Sequence, residues 1–235
     1  MRRLGLVERH DSHRCAARTL GGLRSLELGA TPTSATRDGC GRPAWRGPGR
    51  PVLAWEDRRV SEPLPPVAPP DLDAAERMWA AYAAAHPEAL VAGDEHVVEG
   101  FGDSAPLADA LLDLVLHGPK RATAALSIEY AEEGQQLPRI GGHWIACDGA
   151  GAPRAILRTT ELRLGGFDTV DAAFAWDEGE DDRSLESWRR EHRRYWERTR
   201  AAAGSAFDPG DEIVFERFRV VWPPEHADGS PAQGS

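Results

Sequence analysis

Residues 116–126 (LHGPKRATAAL) contain Lys120, the one lysine among the 28 lysine and arginine residues of the chain. A desolvated lysine ammonium can lose its proton near neutral pH, which an arginine guanidinium cannot do. A neutral Lys120 would take the proton from the hydroxyl of Thr123 and turn that hydroxyl into a nucleophile. A charged Lys120 would instead be a compact contact for a phosphate or carbonyl oxygen. The residue types leave both chemistries open, together with that of an ordinary surface lysine.

A helix and the turn after it must position these two side chains. The segment DSAPLADALLDLVLHG predicts a helix that Ser104 caps, with Pro106 in its first turn and Gly118 at its end. Lys120 and Thr123 then fall on the turn and the short strand that follow. Residues three apart at such a junction can converge on one opening, where we expect a site.

The rest of the sequence predicts short strands with helices inserted between them. Predicted helices cover residues 71–86, 168–176 and 184–202, predicted strands cover 121–127 and 212–222, and a predicted hairpin spans 143–165 with its turn at 148–151. Asp71 or Asp73 caps the first of these helices and Ser184 the last. This order is typical of an α+β fold, and we expect a small mixed β-barrel flanked by helices.

The N-terminal part of the chain differs in composition and charge from the remainder. Residues 1–65 are rich in Gly, Pro and Arg and carry 12 arginines against 7 acids, so their composition predicts a disordered tail or a mis-assigned N-terminal extension. Residues 66–224 are the predicted folded domain, and 225–235 a flexible C-terminal tail. Residues 66–235 carry 16 basic groups against 31 acids. Such an acidic body disfavours strong non-specific binding of duplex nucleic acid and favours a local site.

Composition also narrows the function classes. No apolar run is long enough for a membrane span, and three widely spaced cysteines predict a reducing, cytoplasmic setting. HExxH, glycine-rich phosphate-loop and GxSxG motifs are all missing, and the histidines and cysteines of residues 10–40 have poor spacing for zinc, so we expect no metal and no cofactor. Acids are interleaved with the arginines of the last helix, which favours a solvated face, and His192 on its apolar stripe is expected to be a satisfied core histidine.

From about residue 71 to 222 the chain resembles ASCH-domain proteins of a bacterial branch. The segments that carry the resemblance are MWAAYAAAHPE, FGDS, GPKRAT (the GxKxxT motif of the family), ILRTTE, the EGE before DDRSLESWRREH, and ERFRVV. The resemblance implies a PUA-like barrel with a cleft beside the GxKxxT turn, and it implies RNA or a nucleoside-like molecule as ligand.

Small members of this fold are amidohydrolases of acylated cytidine that use Lys, Thr and Glu together. Carried over to this chain, the catalytic residues are Lys120, Thr123 and an acid, Glu178 or Glu180, with Asp181 as a further candidate. The acidic loop differs in length from that of the small enzymes. They also have an arginine where this chain has Ala125, so the same substrate does not follow.

The sequence therefore predicts an ASCH domain that binds RNA or a modified nucleoside, and four further residues are assigned to the ligand: Arg121, Tyr130, Arg158 and Thr159. Arg158 is included because a charged residue at the end of an apolar hairpin arm needs an anionic partner. One alternative is a hydrolase of acylated nucleosides or of RNA, with Thr123 as nucleophile and Lys120 as base. Another is a protein-interaction module without chemistry. Whether the chain is an enzyme stays open at this point, as does its oligomeric state.

Overall fold

The computed structural model describes residues 64–92 and 96–229. The predicted N-terminal tail lies outside the described residues except for its last two, and residues 230–235 of the predicted C-terminal tail lie outside them as well. The candidate zinc ligands of residues 10–40 are among those not described.

The described chain contains both helices and strands, with helices inserted between most of the strands. The helices are α1 Leu72–Ala85, α2 Ala105–Leu116, α3 Ser127–Glu132, α4 Ala172–Glu178 and α5 Leu185–Ala202, with short 3₁₀ turns at Pro87–Ala92 and Phe167–Thr169. The strands are β1 His96–Gly100, β2 Ala122–Leu126, β3 His143–Cys147, β4 Pro153–Gly165 and β5 Ile213–Trp222. Strand β1 and helix α3 are the two elements that the sequence pattern did not predict.

Capping residues begin two of the helices, α1 and α5, where the sequence predicts. The Asp71 carboxylate accepts the N–H of Ala74 at the start of α1, and the Ser184 hydroxyl accepts the N–H of Ser187 at the start of α5. Ser104 precedes α2 but its side chain makes no capping hydrogen bond, so this helix begins with a proline in its first turn instead.

The five strands form one mixed sheet in the order β1-β3-β4-β5-β2. Strands β1 and β3 are parallel, and the other neighbours are antiparallel, including the predicted hairpin of β3 and β4. The predicted fold, a small mixed barrel flanked by helices, is confirmed as a half-barrel sheet with helices packed on it.

Side chains alternate between the two faces of this sheet. We call the face that packs against α2 the inner face; its core includes Leu111, Trp144 and Phe218. The outer face is covered in two places: α1 packs over Ile145 and Ile156, whereas α4 and α5 pack over the β2–β5 pair in a separate apolar cluster. Packing of apolar side chains does not explain the polar residues that lie between and beneath these clusters.

No helix within the described ranges is both long enough and apolar enough to cross a membrane.

The segment before α1 is tied to the rest of the fold through its backbone. Pro65 accepts the N–H of Ala105, and the N–H groups of Ala68 and Asp71 donate to Gly149 and Gly151 in the hairpin turn. These bonds connect the N-terminal edge of the described fold to both α2 and the β3–β4 hairpin.

We expect a chain that begins at residue 64 to keep the thermal midpoint of the full chain, because it keeps these three bonds. A chain that begins at residue 72 loses them at about 1 kcal/mol each, which lowers the midpoint by about 6–12 °C at this size. Differential scanning calorimetry of both shortened chains checks this. A midpoint already several degrees lower in the longer of the two would show that residues 1–63 contribute contacts.

Candidate functional site

Lys120 lies on the turn between α2 and β2 and is completely buried. Its backbone N–H donates to the carbonyl of Leu114 in the last turn of α2, at 3.2 Å. Its ammonium Nζ donates to Oε1 of Glu180 at 2.5 Å and lies 5.8 Å from the centre of the Phe101 ring. Lys120 is therefore a buried ion-pair residue and not a solvated surface lysine.

The loop after α4 brings the acidic residues to this turn. Gly179 has a φ of +71°, and a Cβ at this position would lie 2.7 Å from the backbone nitrogen of Lys120. The N–H of Arg121 donates to the carbonyl of Asp177 at 2.7 Å. Only a glycine allows the two backbones to approach this closely in that conformation. The contact brings Glu178 and Glu180, the neighbours of Gly179 in sequence, close to Lys120.

Glu178 is buried beneath the loop, with only 1% of its surface exposed. Its Oε2 accepts the indole N–H of Trp188 at 2.8 Å and lies 3.2 Å from Nε2 of His192. Burial opposes ionisation of Glu178, but the charges of His192 and Lys120 and these hydrogen bonds outweigh it, so the pKa of the carboxyl lies below its usual value. Its second oxygen, Oε1, has no hydrogen-bond partner among the described residues.

His192 has an acceptor at each ring nitrogen. Nδ1 lies 3.0 Å from the carbonyl oxygen of Trp188, and Nε2 faces the Glu178 carboxylate. A carbonyl and a carboxylate both accept, so both ring nitrogens must donate and the ring is an imidazolium. Burial works against this charge, but Glu178 more than compensates, and the pKa of His192 is raised. The expectation of a satisfied core histidine fits this arrangement, whereas its buried carboxylate partner was not predicted.

Thr123 lies on the inner face of β2, directly opposite Glu216 of β5. Its hydroxyl is buried and has no hydrogen-bond partner in the described part of the chain. Beside it, the Thr159 hydroxyl of β4 donates to Oε1 of Glu216 at 2.5 Å. The Phe101 ring, next to Nζ of Lys120, packs at 4.4 Å on Trp144 of the same face. Polar groups and aromatic rings thus meet at one end of the inner face.

The side chains of the other predicted site residues have different partners or surroundings. The guanidinium of Arg121 is bound by the Asp228 carboxylate, at 2.8–3.0 Å, so it ties the C-terminal end of the described chain to the domain. Tyr130 is buried in the inner core. Asp181 accepts from the Ser187 hydroxyl and pairs with Arg190 on α5. Arg158 is exposed on the outer face, opposite His143 of β3.

The structure therefore brings Lys120, Glu178 and Glu180 into one cluster, and it places Thr123 and Thr159 on the adjacent inner face. Arg121 contacts the cluster through the backbone carbonyl of Lys120, to which its guanidinium donates at 2.7 Å. In the described part of the chain, Tyr130 and Arg158 are not among the partners of the cluster. The name lysine cluster is used below for eight residues: Lys120, Glu178, Glu180, Thr123, Thr159, His192, Glu216 and Phe101.

Comparison with known proteins agrees with this fold. The model of the ASCH domain family matches residues 97–222. The chain belongs to the ASCH domain family. Its structure is similar to that of an ASCH domain from Lactobacillus crispatus, with a TM-score of 0.59 and 26% sequence identity over 64% of this chain and 96% of that one. It is also similar to protein EF3133 from Enterococcus faecalis, of the DUF984 family model, with a TM-score of 0.56 and 32% identity over 64% and 89% of the chains. No curated protein matches it.

The matched range of the ASCH domain includes every member of the lysine cluster. Residues 97–222 also contain all five strands apart from His96, whereas α1 lies before the matched range. Within the described ranges of the domain, no group of three or more His, Cys, Asp or Glu side chains is arranged to hold a metal ion.

Gly179 should be the most sensitive backbone position of the cluster. We expect Gly179→Ala to destabilise the domain by more than the cost of about 1–2 kcal/mol for a left-handed alanine, because the new methyl group also meets the backbone of Lys120. Gly204→Ala is the matched control, since Gly204 has a φ of +79° but nothing within 4 Å of a Cβ. Urea unfolding of both variants measures the difference. Equal losses would mean that the loop moves away from the lysine turn at little cost.

The charged state of His192 predicts a pH dependence. Its pKa is raised on folding, so its contribution to stability is complete below the unfolded value of about 6.5 and is lost as the pH rises through the folded pKa. We expect His192→Gln to cost about 3–5 kcal/mol near pH 6, because it leaves a buried carboxylate unpaired, and to cost less at higher pH.

Urea unfolding at several pH values between about 6 and 9 tests this. The quantity compared is the difference in free energy of unfolding between the wild type and His192→Gln. The difference removes the contribution of Glu129, whose pKa is raised to about 7 mainly by burial and which titrates in the same range in both proteins. His117→Gln is the control, since His117 pairs with Asp113 at the surface. A difference that stays constant over this range would show that His192 is not charged in the folded protein.

Proposed function

We propose that the lysine cluster of this ASCH domain binds a nucleoside-like molecule, either free or as one nucleotide of an RNA. The observation that carries this proposal is the Thr123 hydroxyl, which is buried without a partner in the described structure. A buried hydroxyl that makes no hydrogen bond costs about 1–3 kcal/mol. A ligand that bonds to it recovers that free energy, and Oε1 of Glu178 offers a second such position.

The neighbouring side chains suit a flat heterocycle with hydrogen-bonding edges. The buried rings of Phe101 and Trp144 pack on each other in the inner core, and Thr123 and Glu216 lie across from one another on β2 and β5 of the same face. Nucleobases are recognised by this combination, an aromatic surface together with donors and acceptors for the base edge.

The charge of the cluster favours the nucleoside part of a nucleotide over its phosphate. The cations Lys120 and His192 form ion pairs with Glu180 and Glu178, and Glu216 adds a third carboxyl group to the cluster. A cluster in which carboxyl groups outnumber cations offers no net attraction to a phosphate, whereas it can exchange hydrogen bonds with an uncharged base or sugar. Of these residues Glu180 is partly exposed, so a ligand would approach from its side.

Hydrolysis makes an additional demand on the same residues. A general base must lie within hydrogen-bond reach of the proton that it removes. In this structure Nζ of Lys120 donates to Glu180, and the Thr123 hydroxyl makes no hydrogen bond to any described residue. The arrangement thus supports binding directly. It supports turnover only if Nζ of Lys120 gives up its hydrogen bond to Glu180 and forms one with the Thr123 hydroxyl.

Isothermal titration of the purified protein with nucleosides and their N-acylated derivatives tests the proposal. We expect Thr123→Val to weaken binding by about 5- to 30-fold, which corresponds to the loss of one buried hydrogen bond. Thr160→Val is the matched control: Thr160 is an exposed residue of β4 whose hydroxyl donates to the Arg217 carbonyl. Equal affinity of both variants and the wild type for every nucleoside would place the ligand elsewhere.

Chromatography of the same mixtures decides between binding and hydrolysis. If the bound acylated nucleoside is recovered intact, the protein is a binding protein for it. Release of the acyl group that stops in Lys120→Arg, while binding persists, would establish the hydrolase alternative, since arginine keeps the charge but is no base at neutral pH.

A further inference from the structure

Two arginines face each other on the outer face of the sheet. Arg158 of β4 and Arg219 of β5 are direct partners in the antiparallel register, and both are exposed. Directly opposed residues have Cβ atoms about 4.5–5.5 Å apart, and like charges in this position destabilise a sheet. An unfavourable pair of this kind requires a reason outside the strand pairing itself.

Neither arginine has a carboxylate partner within the described parts of the chain. The contrast with Arg217, two residues earlier on the same face of β5, is direct. Arg217 donates to Asp177 at 2.8 Å and to Glu161 at 2.5 Å. Residues 66–235 contain 31 acids, so carboxylates are plentiful in the domain. The two opposed guanidinium groups are left for a partner outside it.

The arginine pair lies between the two helical layers of the outer face. On one side α1 covers Ile156, which precedes Arg158 by two residues on the same face. On the other side α4 and α5 cover Phe215, on the same face of β5 as Arg219. Neither apolar cluster includes the strand positions between them, so the two guanidinium groups stay open to solvent.

Aromatic rings lie beside the pair. An irregularity in the β4–β5 register sets Trp222 opposite Ile156, which brings Trp222 to the face of Arg158 although it is three residues from Arg219. Trp222 is partly exposed and meets the rings of Tyr82 and His86 edge-on, at 6.1 and 6.4 Å. The His86 side chain is 42% exposed.

His143 of β3 lies opposite Arg158 in the β3–β4 register. Arg219, Arg158 and His143 thus form a row across three neighbouring strands. Nε2 of His143 lies 3.3 Å from the Tyr82 hydroxyl. Burial first, and then the charges of Arg158 and His96, lower the pKa of His143 to about 4. It is therefore neutral near pH 7, and the charge of the row comes from the two arginines.

We propose that Arg158 and Arg219 bind a phosphate of a single-stranded RNA, and that Trp222 and His86 stack on an adjoining base. We call these four residues the outer arginine patch. Guanidinium groups form paired hydrogen bonds with phosphate oxygens, and aromatic rings beside a cationic surface are the usual means of holding single strands. A duplex does not offer its base faces for stacking, and the acidic domain around the patch repels its many phosphates. The patch is a second site, and its occupation does not depend on the lysine cluster.

Fluorescence anisotropy with a labelled oligouridylate of about 12 nucleotides tests this. We expect the double variant Arg158→Gln, Arg219→Gln to bind at least about tenfold more weakly at low salt. The slope of log K against log salt should become shallower by about 0.7, the value for one phosphate of a single strand. Because both arginines act on the same phosphate, each single variant should show most of this loss.

Arg193→Gln is the matched control, since Arg193 is a partly exposed arginine of α5 that pairs with Glu197 at 4.0 Å. It should bind the oligouridylate like the wild type. A double variant with the affinity and salt slope of the wild type would overturn the proposal. So would an equal loss in Arg193→Gln, because that would reveal general attraction to the surface.

Two further measurements separate this site from the lysine cluster. The double variant should keep the thermal midpoint of the wild type or exceed it, because it removes a like-charge pair. It should also bind free nucleosides like the wild type, whereas Thr123→Val should leave the salt slope of RNA binding unchanged. Loss of nucleoside binding in the double variant would show that the patch is not a separate site. Failure of nucleoside binding in every protein would overturn the lysine-cluster proposal alone.

Discussion

The buried pair of Glu178 and His192 is the interaction on which the lysine cluster depends. A carboxylate and an imidazolium this deep are tolerated only when they face each other and their remaining atoms find partners. Trp188 provides two of these partners: its indole N–H donates to Glu178, and its backbone carbonyl accepts from His192. The pair therefore links the end of α4 to the middle of α5. This fixes the loop from which Glu180 reaches Lys120.

The depth of this cluster explains why its cation is a lysine in a chain that otherwise uses arginine. Nζ of Lys120 meets one carboxylate oxygen, with the Phe101 ring nearby and the backbone of Gly179 pressed against the turn. An ammonium has three donors to satisfy, whereas a guanidinium has five in a fixed plane. At a fully buried position with one carboxylate, the larger group would leave more donors unpaired, and each of them carries a desolvation cost.

What the sequence predicts well is local, and what it misses depends on contacts across the chain. The caps at Asp71 and Ser184 and the β3–β4 hairpin follow from neighbouring residues, and all were predicted. Strand β1 was missed because its pairing is parallel, with β3 more than forty residues later. The sequence around Arg121 does not indicate that its partner is Asp228, which lies 107 residues away. The Lys120 turn was found because a residue type was unusual there, but the partners of its acidic loop required the packing of α5.

Arg158 and Thr159 show how one strand can serve two chemistries. Both were assigned to one ligand site, yet a period of two sends adjacent side chains to opposite faces of a sheet. Thr159 donates to Glu216 within the lysine cluster, whereas Arg158 lies opposite Arg219 on the outer face. One nucleotide cannot touch both faces of the sheet at once. A base at the cluster and a phosphate at the patch would thus belong to different nucleotides, and if one RNA supplied both, the length of strand between them would set the gain in affinity.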